Sequence, residues 1–223
     1  MNKKKIITAI IMAAIALLAM TYVEKILQPG YLIKSVIKLF ILGGSILLYS
    51  FLYQEELFEL IHLQKKKPSK KLVLFMAFAY LGIIVSYLLL SRYIDLGSIR
   101  EKLMAKEHLT RQNFLFIFSY IIIVNYFLEE SFFRGFLHQV FKKEGLEKPG
   151  IIFSALVFAL YHISIMEGWF HPLIMLLGIT GLFATGVFLQ FIMKSEDNLL
   201  GSWLVHAFAN LAINSIATIM LFS

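Results

Sequence analysis

The run Phe114-Leu115-Phe116-Ile117-Phe118-Ser119-Tyr120-Ile121-Ile122-Ile123-Val124-Asn125-Tyr126-Phe127-Leu128-Glu129-Glu130-Ser131-Phe132-Phe133-Arg134-Gly135-Phe136-Leu137 decides how this chain is read. It is long and apolar enough to cross a bilayer, which takes roughly 17–25 residues. Yet Glu129, Glu130 and Arg134 fall within six positions of it. An ionisable side chain at membrane depth costs roughly 2.5–3.5 kcal/mol on insertion scales, so three together need a reason. Glu130 and Arg134 are four apart and share a helix face, so one arginine neutralises one glutamate. On this reading Glu129 is left as the unpaired carboxylate.

The rest of the chain has the same character. It is 59% hydrophobic and 16% charged, with a mean hydropathy of +0.78. These values are far from those of an average soluble domain. The expected fold is all-α, a polytopic transmembrane helical bundle. Seven spans are expected at about 6–23, 36–53, 72–90, 113–141, 150–166, 172–193 and 199–222. They lack the period-two alternation of barrel strands, so each is helical. The first span ends Tyr22-Val23-Glu24-Lys25, without a small-residue cleavage site, and reads as a retained span and not a signal peptide. Cysteine is absent, which excludes disulfides, thiolate metal sites and a cysteine nucleophile.

The net charge of +7 clusters at span ends and marks topology, so no nucleic-acid partner is expected. With the N-terminus inside, the cytoplasmic segments hold twelve cations: Lys3, Lys4, Lys5, Lys65, Lys66, Lys67, Lys70, Lys71, Lys142, Lys143, Lys148 and Lys194. Eight fall opposite: Lys25, Lys34, Lys38, Arg92, Arg100, Lys102, Lys106 and Arg111. The bias favours a cytoplasmic N-terminus, with Ser223 outside. Leu96, Ile99, Leu103 and Leu109 in the mixed-charge segment 91–112 predict an interfacial helix between the third and fourth spans. There is no internal repeat. The lysine-rich loop around Pro68 divides a two-span N-terminal region, residues 1–71, from a transmembrane domain, residues 72–223. Glu55, Glu56 and Glu59 read as a solvated span end.

Two further polar pairs lie at depth. His162 follows Phe158 by four positions in the fifth span, and Asn210 follows His206 by four in the seventh. Measured along the helices at 1.5 Å per residue, Glu129 is about 20 Å, His162 about 18 Å and His206 about 10 Å from the cytoplasmic ends of their spans. With tilt, the three can meet. A carboxylate and an imidazole can share the removal of a proton from water and its delivery to a leaving amine. Asn210 and the second histidine are donors suited to an oxyanion. Glu129, His162 and His206 also make a reasonable zinc set, and spacing alone does not separate the two chemistries. There is no His-Glu-x-x-His motif. Asp95 and Asp197, the only aspartates, lie near span ends, away from any intramembrane dyad.

Glu129-Glu130-x-x-x-Arg134, Phe158-x-x-x-His162 and His206-x-x-x-Asn210 resemble, in order and rough spacing, the three motifs of the CPBP family. That family comprises the type II CAAX prenyl endopeptidases and their bacterial Abi relatives. The resemblance covers about residues 113–214. It implies a glutamate-dependent intramembrane endopeptidase. In it Glu129 acts as base and acid with His162, His206 and Asn210 stabilise the oxyanion, and Glu130, Arg134 and Phe158 support the site. It implies a cavity opening to the cytoplasm and a membrane-associated peptide or protein as substrate. Many relatives are labelled metalloproteases, but a motif set with its own oxyanion pair favours metal-free chemistry, with zinc the alternative. The lysine-rich, compact chain looks like a multi-pass protein of a bacterial cytoplasmic membrane. Bacterial relatives are associated with bacteriocin immunity, peptide maturation and pheromone processing, so the second reading is a non-catalytic immunity or peptide-sequestering protein of the same fold. A proton-coupled transporter is a third and weaker one, because there is no repeat.

Overall fold

A computed structural model describes residues 2–106, 110, 112–167 and 171–222 of the chain. Among the described residues there is no strand. Seven helices among the described residues are long and apolar enough to cross a membrane: Lys3–Leu27, Tyr31–Tyr53, Leu72–Tyr93, Phe114–Lys143, Glu147–Met166, Pro172–Glu196 and Leu199–Leu221. They are the first to seventh spans below. The chain is a multi-pass integral membrane protein. A surface helix, Leu96–Lys106, follows the third span and packs against the seventh, with Ile99 buried. His108, Leu109, Arg111 and Ser223 lie outside the described residues, as do the side chains of Lys102, Leu103 and Lys106.

The helices end where the backbone turns left-handed. Gln28, Gln54, Gly145 and Asp197 all have positive φ, and such a residue lets the chain leave a helix while capping its last carbonyls. The second span differs from expectation in one respect that matters. It begins at Tyr31, because a helix continues through charged residues whose side chains find partners. Lys34 and Lys38 therefore lie inside the bundle, both buried, and not on the opposite surface.

The fourth span is the axis of the fold. Every residue from Leu128 to Phe141 is buried, the mark of a helix surrounded by others. The first span covers it with Ala9, Ala13, Ala16 and Met20. The second contributes Tyr49, whose ring centroid is 4.9 Å from that of Phe136. The fifth contributes Phe158, 5.3 Å from Phe133. The N-terminal spans thus share one apolar core with the fourth and fifth. The third span fully buries only Leu72 and packs Phe75, Met76 and Ala79 against a second cluster with Leu189, Ile192 and Val205 of the sixth and seventh spans. Since lipid tails are as apolar as leucine, these helices associate through close packing and polar contacts. Gly135 marks a close approach to backbone: a Cβ there would lie 2.8 Å from the Cα of Ile61. Gly186 does the same against the Ala155 backbone at 2.9 Å, whereas Gly181 meets nothing within 4 Å.

One end of the bundle is tied by ion pairs. Glu55 is no solvated span end: its side chain is 10% exposed and bridges Lys5 at 2.7 Å and Lys143 at 2.6 Å. The lysine-rich loop is laid on the turn between the sixth and seventh spans. His62 meets Asp197 at 2.9 Å. Ser69 donates from N and Oγ to Glu196 at 2.7 and 2.6 Å. Asn198 Nδ2 donates to the carbonyls of Gln64 and Lys66.

Two outcomes follow. Gly135→Ala should lose about 1–3 kcal/mol through overpacking against backbone, while Gly181→Ala should be neutral or stabilising. Thermal unfolding in detergent compares them. Burial opposes ionisation of Glu55, but the hydrogen bonds and charges of Lys143 and Lys5 outweigh it and hold its carboxyl below the ordinary 4.5. Its contribution is therefore full above that value and is lost as pH falls through the lower folded value. Acidification should lower the thermal midpoint of the parent more than that of Glu55→Gln.

Candidate functional site

Glu129 and Glu130 are both buried in the fourth span, at 2% and 0% exposure. Glu130 keeps the partner expected of it, with Oε1 3.3 Å from Arg134 Nη1. The same oxygen lies 2.8 Å from His206 Nδ1 of the seventh span. An ionised carboxylate only accepts, so Nδ1–H donates and Glu130 fixes that ring. The Arg134 guanidinium lies 3.9 Å from the centroid of the Phe158 ring, as a buried cation over an aromatic face.

Phe158 joins the motifs. Besides Arg134 it meets the His162 ring at 4.6 Å and the His206 ring at 5.8 Å, both edge-on. His162 ends the long helical part of the fifth span, and its Nδ1 is 2.8 Å from the Phe158 carbonyl. A carbonyl only accepts, so Nδ1 carries the proton and a neutral His162 keeps its lone pair on Nε2. Glu129 lies within electrostatic reach of both histidines. Asn210 is engaged locally: its Oδ1 accepts from Tyr126 Oη at 2.6 Å and its Nδ2 donates to the His206 carbonyl at 3.1 Å. Tyr126 also lies against the His206 ring, with centroids 4.5 Å apart.

Glu129 is not the unpaired carboxylate expected from its neighbours in sequence. Lys38 Nζ, from the second span, donates to Glu129 Oε1 and to Asn125 Oδ1 at 2.6 Å. Asn125 Nδ2 donates to the same Glu129 oxygen at 3.2 Å. Glu129 Oε2 is buried and has no hydrogen-bond partner among the described residues. The correction comes from where the second span starts, which carries Lys38 into the bundle. Lys38, Asn125 and Tyr126 were thus missed. The signals for the first two were available: a lysine inside an apolar run is a functional candidate in itself, and Asn125 is four positions before Glu129.

Wide, π-type turns surround this cluster. Leu39–Gly43 follows Lys38, Ile121–Asn125 ends at Asn125, and Ser131–Leu137 follows Glu130 and contains Arg134. Such turns recur at functional sites and shift the face that later residues present.

Residues 111–212, which hold all three motifs, match the family model Rce1-like, described as Type II CAAX prenyl endopeptidase Rce1-like. Over this segment the chain is similar to the type II CAAX prenyl endopeptidases that the model describes. No curated protein and no solved structure matches it. The matched segment supplies Glu129, Glu130, Arg134, Phe158, His162, His206 and Asn210. Lys38 comes from outside it.

In the zinc alternative, one donor atom of the set is already engaged. Among the described residues no three His, Asp or Glu side chains are grouped to hold a metal ion. The Lys38 ammonium already occupies Glu129 Oε1, where a divalent cation would compete with it. Dialysis against a strong chelator should leave both the thermal midpoint and hydrolytic turnover unchanged. Loss of turnover that zinc restores would show that a metal belongs there.

Proposed function

We propose that this protein is a glutamate-dependent intramembrane endopeptidase acting on a membrane-associated peptide or protein. The observation that carries the reading is one buried contact set, drawn from three spans of the matched segment, that joins Glu130 and Arg134 to His206 and His162 through Phe158, with Glu129 beside Glu130 on the same helix. The polar end with Lys5, Lys65–Lys71, Lys143 and Lys194 is taken as cytoplasmic.

The chemistry follows from the donors and acceptors. Glu129, with His162 Nε2 as a second acceptor, takes a proton from water. The resulting hydroxide attacks the scissile carbonyl carbon, and its oxygen becomes an oxyanion. His206, held at Nδ1 by Glu130, offers Nε2–H when both its nitrogens are protonated. Asn210 keeps one amide hydrogen beyond the one given to the His206 carbonyl. These are the oxyanion donors. The intermediate collapses by breaking the C–N bond, and the proton held by Glu129 passes to the leaving amine. Products are a carboxylic acid and an amine, and the enzyme is regenerated.

The test uses purified protein in liposomes with two quenched fluorogenic probes, a single-span membrane peptide and a farnesylated CAAX peptide. The parent should cut at least one of them. Glu129→Gln and His162→Ala should each lower turnover by about 10²–10⁴-fold, the range for loss of general acid–base catalysis. Equal rates in both variants and the parent would exclude hydrolysis at this site and favour a peptide-sequestering protein.

A further inference from the structure

Lys38 is more than a counter-charge. An ammonium has three donors and no acceptor. One of its donors goes to Glu129 Oε1 and one to Asn125 Oδ1. The Nζ also faces the Tyr161 ring, 5.1 Å from its centroid. Asn125 closes the triangle by donating to the same Glu129 oxygen. Two donors from two spans therefore converge on Oε1, and none of the described residues bonds Oε2, which is buried as well. The carboxylate is gripped by one oxygen only.

Local structure keeps that grip fixed. Lys38 immediately precedes the wide turn Leu39–Gly43 and Asn125 closes the wide turn Ile121–Asn125. The next lysine on the same helix, Lys34, is drawn to Glu24 at 3.0 Å. Glu130 has Arg134 and His206. Lys38 is thus the cation assigned to Glu129.

We propose that Lys38, together with Asn125, is a positioning residue of the site: it pins Oε1 of Glu129 and leaves Oε2 as the oxygen that exchanges a proton with water. The proposal rests on the endopeptidase reading above. It extends the reacting unit to the second span, outside residues 111–212. An amphipathic lysine stem with a rigidly bonded head orients the carboxylate, whereas a simple structural pair would only hold two helices together.

The experiment measures kcat and KM in liposomes, on whichever of the two probes the parent cuts, for the parent, Lys38→Met, Lys38→Arg, Asn125→Leu and Glu129→Gln. Thermal midpoints are recorded in detergent. Lys38→Met should lower kcat by about 10²-fold, the loss expected from a misplaced catalytic group, with KM little changed. Lys38→Arg, which keeps a cation and its donors, should recover most of that loss. Asn125→Leu, which leaves the cation in place, should show a smaller fall in kcat. If Lys38→Met keeps the parent kcat while Glu129→Gln is inactive, the proposal is wrong and the endopeptidase reading stands. If Lys38→Arg is as impaired as Lys38→Met and both lose thermal midpoint equally, Lys38 is a structural tie and the proposal is again overturned. If Lys38→Met does not fold, Asn125→Leu decides, since unchanged kcat there removes the grip on Oε1. A parent inactive on both probes, or a Glu129→Gln as fast as the parent, overturns the underlying reading itself.

Discussion

A carboxylate surrounded by helices and lipid has no water to stabilise its charge, so the protein must supply the opposite charge itself. This constraint organises the centre of the molecule. Two adjacent glutamates cannot share one cation without leaving charge uncompensated, and here each has its own. Glu130 takes Arg134 from one turn along its own helix. Glu129 takes Lys38 from another span. The first pairing is local and stiffens one helix. The second is long-range and fixes where the second span must stand. His206 then joins the Glu130 side, which draws in the seventh span. Removing one member of a buried pair strands the other, at a cost of about 3–5 kcal/mol, so the three spans are mutually dependent.

Phe158 plays the apolar part of the same arrangement. A ring fits where an arginine face and two imidazole edges must coexist without competing for hydrogen bonds. Its backbone carbonyl also sets the tautomer of His162. A position that reads as packing in sequence therefore orients a candidate base through its main chain and separates charges through its side chain.

Much of this was legible beforehand for physical reasons. Apolar runs of bilayer length can only be helices, and seven of them are present. Glu130 and Arg134 meet because four residues bring side chains onto one helix face. The depths of the three motifs allow them to meet, and the contacts of Phe158 and Glu130 bring them together. What was hidden has equally definite causes. A span boundary drawn by hydropathy stops at charge, yet Lys34 and Lys38 continue the helix because Glu24 and Glu129 receive them. Glu55 looked solvated because its partners, Lys5 and Lys143, are distant in sequence. Wide turns before Glu129 and after Glu130 shift the helix face, which regular spacing does not anticipate. Asn210 has its Oδ1 held by Tyr126, a neighbour that no spacing on its own helix reveals.

The Lys38–Glu129 contact also bears on how the protein is made. The two residues are 91 positions apart. At a synthesis rate of about 5–20 residues per second, the lysine emerges roughly 5–18 s before its carboxylate exists. During that interval the ammonium has no Glu129 to receive it, and a long lysine stem lets such a head reach water. Arrival of the fourth span then trades one hydrated charge and one incoming acid for a neutral buried pair. The contact that completes the site is thus among the last that synthesis makes available to the second span.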